Sequence, residues 1–171
     1  MDHYIEIQIL SDPEFSPSTL MNVLFEKLHH ALVQAGHNEI GVSFPQARKT
    51  MGDVMRIHGS REALQRLAER PWNNGMRDYI KVSEIRPAPD KSRHRKVRRV
   101  QAKSSLDRIY RRSIKKGWLT PQEAEQRIAE GRETLLKNPF IQMRSRSTGQ
   151  KYRLFIEQGG IQDAPQKGSF S

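Results

Sequence analysis

Over its first 86 residues the chain switches repeatedly between a hydropathy period of two and one of 3.6. The order of those switches leaves few folds open. "HYIEIQIL" (3–10) alternates and predicts a strand. Ser16-Pro17 is a helix start, with serine as cap and proline in the first turn, and the helix runs to about Ala35 before Gly36. "NEIGVSFP" (38–45) and "VMRIHG" (54–59) predict a second and a third strand. Ser60 opens a second helix that Pro71 ends, and "RDYIKVSEI" (77–85) predicts a fourth strand. The sequence β-α-β-β-α-β is that of the ferredoxin-like split unit, assigned to residues 1–86.

From residue 86 onward the pattern changes. "RPAPDKSRHRK" (86–96) combines proline, serine and charge, which marks residues 87–96 as a basic linker. Residues 97–171 then form a smaller C-terminal α/β domain, so the fold class is α+β. "VRRVQAK" (97–103) has the shape of a polar strand. Ser104 with Asp107 signals a helix over 105–116, ended by Gly117. Thr120-Pro121-Gln122-Glu123 signals another helix, running to about Leu136. Phe140–Ile156 predicts a hairpin turning near Thr148-Gly149.

Charge narrows the class of partner. The net charge is +11, and it is not spread evenly. Between Arg86 and Lys116 thirteen Lys and Arg residues face two acids, Asp90 and Asp107, so this stretch alone accounts for the excess. Charge concentrated in this way predicts a polyanion-binding footprint. The chain has no cysteine, which excludes disulfides and thiolate metal sites. No run of about 18 apolar residues and no signal-peptide pattern is present, so a soluble, cytoplasmic protein is expected.

Within the charged block, Arg108, Arg111, Arg112, Lys115 and Lys116 share one face of helix 105–116, with Leu106, Ile109, Tyr110 and Ile114 on the other. Five like charges on one face repel, so the face suits a row of phosphates; the plainer reading is a solvated amphipathic helix. Arg98, Arg99 and Gln101 precede it. Arginine can pair bidentately with guanine and glutamine with adenine, although the same residues also serve as ordinary surface charges and an amide.

In the first helix Leu20, Leu24, Leu28, Ala31 and Ala35 define the core face, with Phe25 and Leu32 at its edge. His29 falls just beyond that edge, and His30 points nearly away from the core. An imidazole at such a boundary titrates near neutrality and can meet a ligand, though boundary histidines are often only structural. No histidine stands at metal-ligand spacing from carboxylates, and no phosphate-loop or Ser-His-Asp pattern occurs, so neither a metal nor a cofactor is expected. Trp72 and Trp118 flank helix ends, as packing residues do. Tyr152 is open to two readings, a core residue or a platform for a base. Beside it, "MRSRST" sets hydroxyls and guanidinium groups next to each other, groups suited to ribose and phosphate.

Taken in order and spacing, "MDHYIEIQILSDPEF", "LMNVLFEKLHHAL", "IGVSFPQ", "RVQAKS" and "RSRSTGQKYRLFI" resemble the CRISPR repeat-processing endoribonucleases of the type I-F (Ypest) system. The resemblance covers nearly the whole chain. It implies binding of the CRISPR repeat hairpin and metal-independent cleavage of the precursor transcript on the 3′ side of the stem. Products would carry a 2′,3′-cyclic phosphate and a 5′-hydroxyl. The enzyme would then stay on the mature guide RNA, with other subunits of the type I-F interference complex. By position, His29 matches the catalytic histidine, Ser145 the serine that holds the ribose 2′-hydroxyl, and Ser147 a second active-site serine.

The resemblance also makes Arg99 and Gln101 the readers of purines at the base of the stem. There an A-form groove, otherwise too narrow for side chains, opens. Helix 105–116 becomes the phosphate-binding helix, with Lys115 and Lys116 where the family pattern has arginines; lysine keeps the charge and loses the bidentate fork. Tyr152 stands where a phenylalanine stacks under the terminal base pair. A non-catalytic hairpin-binding protein is the alternative reading.

Overall fold

The computed structural model describes residues 1–35, 39–101, 106–130, 136–145 and 147–164, with only the backbone described for 106–109 and 127–130. Strand β1 (His3–Ile9) sits inside an antiparallel sheet with β2 (Gly41–Ser43), β3 (Val54–Gly59) and β4 (Ile80–Val82), in the order β2-β3-β1-β4. Helices α1 (Pro17–Ala35) and α2 (Arg61–Ala68) make the crossovers. This is the β-α-β-β-α-β order expected from the hydropathy pattern. Local chemistry sets the helix starts: Ser16 Oγ accepts from the Thr19 N–H at 3.2 Å, and Ser60 Oγ accepts from the Ala63 N–H at 3.2 Å.

The sheet's period of two separates its faces. Ile5, Ile7 and Ile9 are buried in one core with Leu20, Met21, Leu24, Phe25, Leu28 and Leu32 of α1. Met21, Phe25 and Leu32 are fully part of that core, whereas Ala35 is only half-buried. The apolar stripe of α1 is therefore turned slightly from the expected face, toward Phe25.

The opposite face of the sheet is polar and internally paired. Arg56 Nε donates to Glu6 Oε2 at 2.6 Å, and the Arg56 guanidinium lies 5.2 Å from the Tyr4 ring centroid. Ser43 Oγ and His58 Nε2 share a 2.7 Å hydrogen bond. Burial, with the Arg56 charge second, pushes the His58 pKa from the ordinary 6.5 down to about 4. Between those two values the unfolded chain binds the extra proton, so stability is full above 6.5 and is lost as pH falls toward 4. Urea unfolding at about pH 7 and pH 4 should show the parent losing on the order of 3 kcal/mol more than His58→Gln. Equal losses would contradict this.

Two expectations are corrected. Residues 77–85 are not one strand: Arg77–Tyr79 form a 3₁₀ turn, and only Ile80–Val82 pair with β1, with Ile9 opposite Ile80 and Ile7 opposite Val82. The segment expected to be a linker is partly strand. β5 (Arg86–Pro87) pairs with the start of β1, and β6 (His94–Val100) belongs to a second sheet.

That second sheet has the order β6-β8-β7, with β7 (Phe140–Arg144) and β8 (Lys151–Gln162) antiparallel. It shares the core of α1 through Ile141, Met143 and Ile156. Two polar ties hold it in place: the Gln142 N–H donates to Asn22 Oδ1 at 2.9 Å, and Gln158 Nε2 donates to the Phe44 carbonyl at 2.7 Å. The chain forms two compact units. Met1–Arg99 with Asn138–Ser171 form one, and Val100–Lys137 the other.

The smaller unit holds α3 (Leu106–Lys115) and α4 (Pro121–Glu130). Gly117, at φ +70°, ends α3 with paired bonds from the Gly117 N–H to the Ile114 carbonyl and from the Trp118 N–H to the Ser113 carbonyl. At α4 the Thr120 N–H donates to Glu123 Oε2 at 2.8 Å and the Glu123 N–H donates to Thr120 Oγ1 at 3.3 Å, the reciprocal box that the sequence predicts. The expected cap Ser104, the stop at Gly36 and residues 131–135 of the helix expected to run to about Leu136 lie outside the described residues, and Leu136 itself is not helical. Among the described residues no helix is long and apolar enough to cross a membrane.

Candidate functional site

α1 passes the β7–β8 hairpin, and a cavity of about 350 Å³ opens between them. His29, His30, Val33 and Gln34 form the helical wall; Met143, Arg144, Ser145, Ser147 and Tyr152 form the hairpin wall. His29 and Ser145, far apart in the chain, line one cavity because Ile141 and Met143 dock β7 on the apolar stripe of α1.

The hairpin wall is a tight turn built from its own hydroxyls. The Ser145 N–H donates to the Gln150 carbonyl at 2.9 Å, and the Gly149 N–H donates to the Ser145 carbonyl at 2.8 Å. Ser145 Oγ accepts from the Thr148 N–H at 3.3 Å and shares a 3.2 Å bond with Ser147 Oγ. Gly149 has φ +68°, a conformation that strains any L side chain. Arg144 Nε donates to the Gly149 carbonyl at 3.1 Å, so this arginine braces the turn it belongs to. The two serines present adjacent hydroxyls, each able to donate or accept. Arg146 lies outside the described residues.

On the helical wall, His29 is half-buried and stacks on Phe25, centroid to centroid 6.5 Å with 23° between the planes. Burial lowers its pKa below 6.5; the neighbouring His30 lowers it further, and Glu26 opposes both. The imidazole is therefore neutral at pH 7, with a ring nitrogen able to take a proton. His30 is also half-buried and lines the same cavity, so it does not simply point away as the helical phase suggested. Tyr152 is 39% exposed, which excludes the core reading, and it lines the cavity. Gln34 and Val33 line the cavity too, though no pattern in the sequence marks them.

Other predicted residues lie elsewhere. Arg99 and Gln101 are exposed at the end of β6 and just beyond it. Arg98, also exposed, is engaged differently: Nε and Nη2 both donate to Glu157 Oε2, at 3.0 and 2.8 Å. On α3, Arg111, Arg112 and Lys115 are exposed, as is Lys116 just after it, while Tyr110 and Ile114 are half-buried. The side chains of Leu106, Arg108 and Ile109 lie outside the described residues, so two faces are seen only from Tyr110 onward. Trp72 packs against the core, but Trp118 does not pack as expected. It is 70% exposed, with Lys116 Nζ 4.5 Å from its ring centroid. Among the described residues no three His, Asp or Glu side chains converge as a metal site would require.

Comparison with known proteins agrees over the full length. The chain is 46% identical to the CRISPR-associated endonuclease Cas6/Csy4 of Escherichia coli (strain UTI89 / UPEC), over 171 residues that span all of this chain and 93% of that protein. It is 44% identical to the protein of the same name from Pseudomonas aeruginosa (strain UCBPP-PA14), over 174 aligned residues with the same coverage. The family model for the CRISPR-associated protein Cas_Csy4 matches residues 4–171. By this match and these identities, the chain belongs to the Cas_Csy4 family of CRISPR-associated proteins.

Proposed function

We propose that this chain is the endoribonuclease that binds the CRISPR repeat hairpin and cuts precursor CRISPR RNA on the 3′ side of the stem. In the same reading it then stays on the mature guide RNA within the type I-F interference complex. The observation that carries the proposal is the convergence of His29 with Ser145, Ser147 and Tyr152 on one cavity. The relatives' description as endonucleases supports the same class of reaction.

The chemistry derives from the capacities of each group. Tyr152 stacks beneath the terminal base pair of the stem. The Ser145 and Ser147 hydroxyls hold the ribose whose 2′-oxygen attacks the adjacent phosphorus. His29, neutral at pH 7, takes the proton from that 2′-hydroxyl. As the new O2′–P bond forms, the P–O5′ bond breaks and the departing 5′-oxygen takes a proton from solvent water, giving a 2′,3′-cyclic phosphate and a 5′-hydroxyl. Because the nucleophile arrives with the RNA, alignment and proton transfer suffice, and no metal is needed to generate it. By residue type, Arg144 or Arg146 offsets charge on the phosphorane. Arg99 and Gln101 read purines at the base of the stem, and the α3 cations hold its phosphates.

One incubation tests the class of activity. Labelled cognate hairpin RNA and a matched DNA duplex are each mixed with the protein in excess chelator. The expected result is a single cut at the 3′ foot of the RNA stem and weaker binding to DNA. Hairpin binding without a cut would support a non-catalytic RNA-binding protein, and tighter binding to DNA a DNA-directed one.

A further inference from the structure

A second groove lies on the far side of the same helical residues. It has a volume of about 520 Å³ and is lined by Lys27, His30, Ala31 and Gln34 of α1 and by Arg70, Pro71 and Trp72, the segment just beyond α2. His30 and Gln34 line both this groove and the cavity that holds His29 and Ser145. The two are thus consecutive along one path, from the β7–β8 hairpin across α1 to the end of α2.

We infer that this groove binds the single-stranded RNA immediately 3′ of the cut, the strand that becomes the leaving fragment. The inference rests on the endoribonuclease reading, which puts the stem at Tyr152 and the scissile phosphate at His29. The strand beyond the cut is unpaired and has to leave the cavity on the side away from the stem. The groove offers the two things an unpaired strand requires, cations to track its backbone and an aromatic ring beside them. Lys27 is half-buried and Arg70 is exposed, and among the described residues neither forms an ion pair. Trp72 is half-buried, packs on the core and also lines the groove. The RNA ligand recognised here is defined by phosphate charge and base faces, without a sequence requirement. Binding at this place anchors the leaving side, so that both ends of the scissile linkage are held.

The test uses the full chain and a cognate hairpin with a 2′-deoxy nucleotide before the cut, made either blunt at the cut or extended by a run of unpaired uridines. The extended RNA should bind the parent more tightly than the blunt one. In Lys27→Ala/Arg70→Ala that advantage should vanish while affinity for the blunt hairpin stays at the parent value. With two single-strand phosphates no longer neutralised, the salt slope of the extended RNA should fall by about 1.4, or about sevenfold in affinity for each fourfold rise in salt. Lys27→Arg/Arg70→Lys should restore the advantage. An equal advantage in parent and double alanine variant overturns the assignment, and so does a parent that cuts the ribose hairpin but gains nothing from the extension. A parent that neither binds nor cuts any hairpin overturns the endoribonuclease reading, and the groove assignment falls with it.

Discussion

His29→Ala should cut the cognate hairpin at least about a hundredfold more slowly than the parent, the scale of losing a proton-transfer group, and bind it nearly as well. The separation is expected because His29 faces a cavity of modest size, while the cations proposed to hold the stem lie on β6 and α3. The pH profile adds a check on role. Burial and His30 hold the imidazole pKa below 6.5, so the base-competent neutral form is already dominant at pH 7. As a proton acceptor, His29 should make kcat/KM of the parent rise through an inflection below pH 6.5 and stay flat above it. A rate that instead falls with rising pH through that inflection would make His29 the proton donor to the leaving oxygen. Loss of the inflection in His29→Gln, with folding intact, would tie it to this residue.

The other large effect concerns affinity. Replacing Arg111, Arg112, Lys115 and Lys116 together by alanine should weaken hairpin binding on the order of a thousandfold near physiological salt, if each meets one phosphate. The salt slope should fall by roughly 0.7–0.9 for each phosphate no longer neutralised. All four side chains are exposed, and the apolar side of the helix, Tyr110 and Ile114, is left intact, so the fold should survive. The loss should be equal for cognate and scrambled stems, because phosphate binding carries no sequence information. An unchanged slope would mean that the face is only solvated. The same series with lysines at 111 and 112 would measure the gain from the guanidinium fork over charge alone.

The residues that the sequence marks well are those set by local chemistry. β3 falls on Val54–Gly59 as expected, and α1 begins at Pro17, because alternation, a serine cap and a first-turn proline act within a few residues. The capping box at Thr120 and Glu123 and the stop at Gly117 are local in the same sense. The failures are tertiary. "RDYIKVSEI" alternates well enough for a strand, yet only Ile80–Val82 find β1 opposite them; the residues before are drawn into a turn that sets Tyr79 edge-on to Phe15 at 5.8 Å. "RPAPDKSRHRK" reads as coil until β8, far along the chain, supplies a partner for the segment from His94 onward.

The site divides in the same way. Helical phase places His29 at the core boundary, but the group it faces is not legible from phase. Its second wall is a hairpin brought in by the packing of Ile141 and Met143 and by the Asn22 to Gln142 bond. The same hidden walls explain His30. Phase alone sends it toward solvent, whereas the hairpin on one side and Trp72 with Arg70 on the other leave it half-buried between two cavities. Trp118 shows the converse. An aromatic at a helix end reads as packing, yet this ring stays 70% exposed beside Lys116.

In the proposed mechanism the RNA's own 2′-hydroxyl is the nucleophile, positioned by Ser145 and Ser147 and deprotonated by His29. The most direct test is a cognate hairpin with one deoxyribose at the nucleotide before the cut, compared with the all-ribose hairpin in excess chelator. The protein should bind both about equally, cut the ribose substrate to a 2′,3′-cyclic phosphate and a 5′-hydroxyl, and leave the deoxy substrate whole. Cleavage of the deoxy substrate at the same position and a comparable rate would contradict this mechanism.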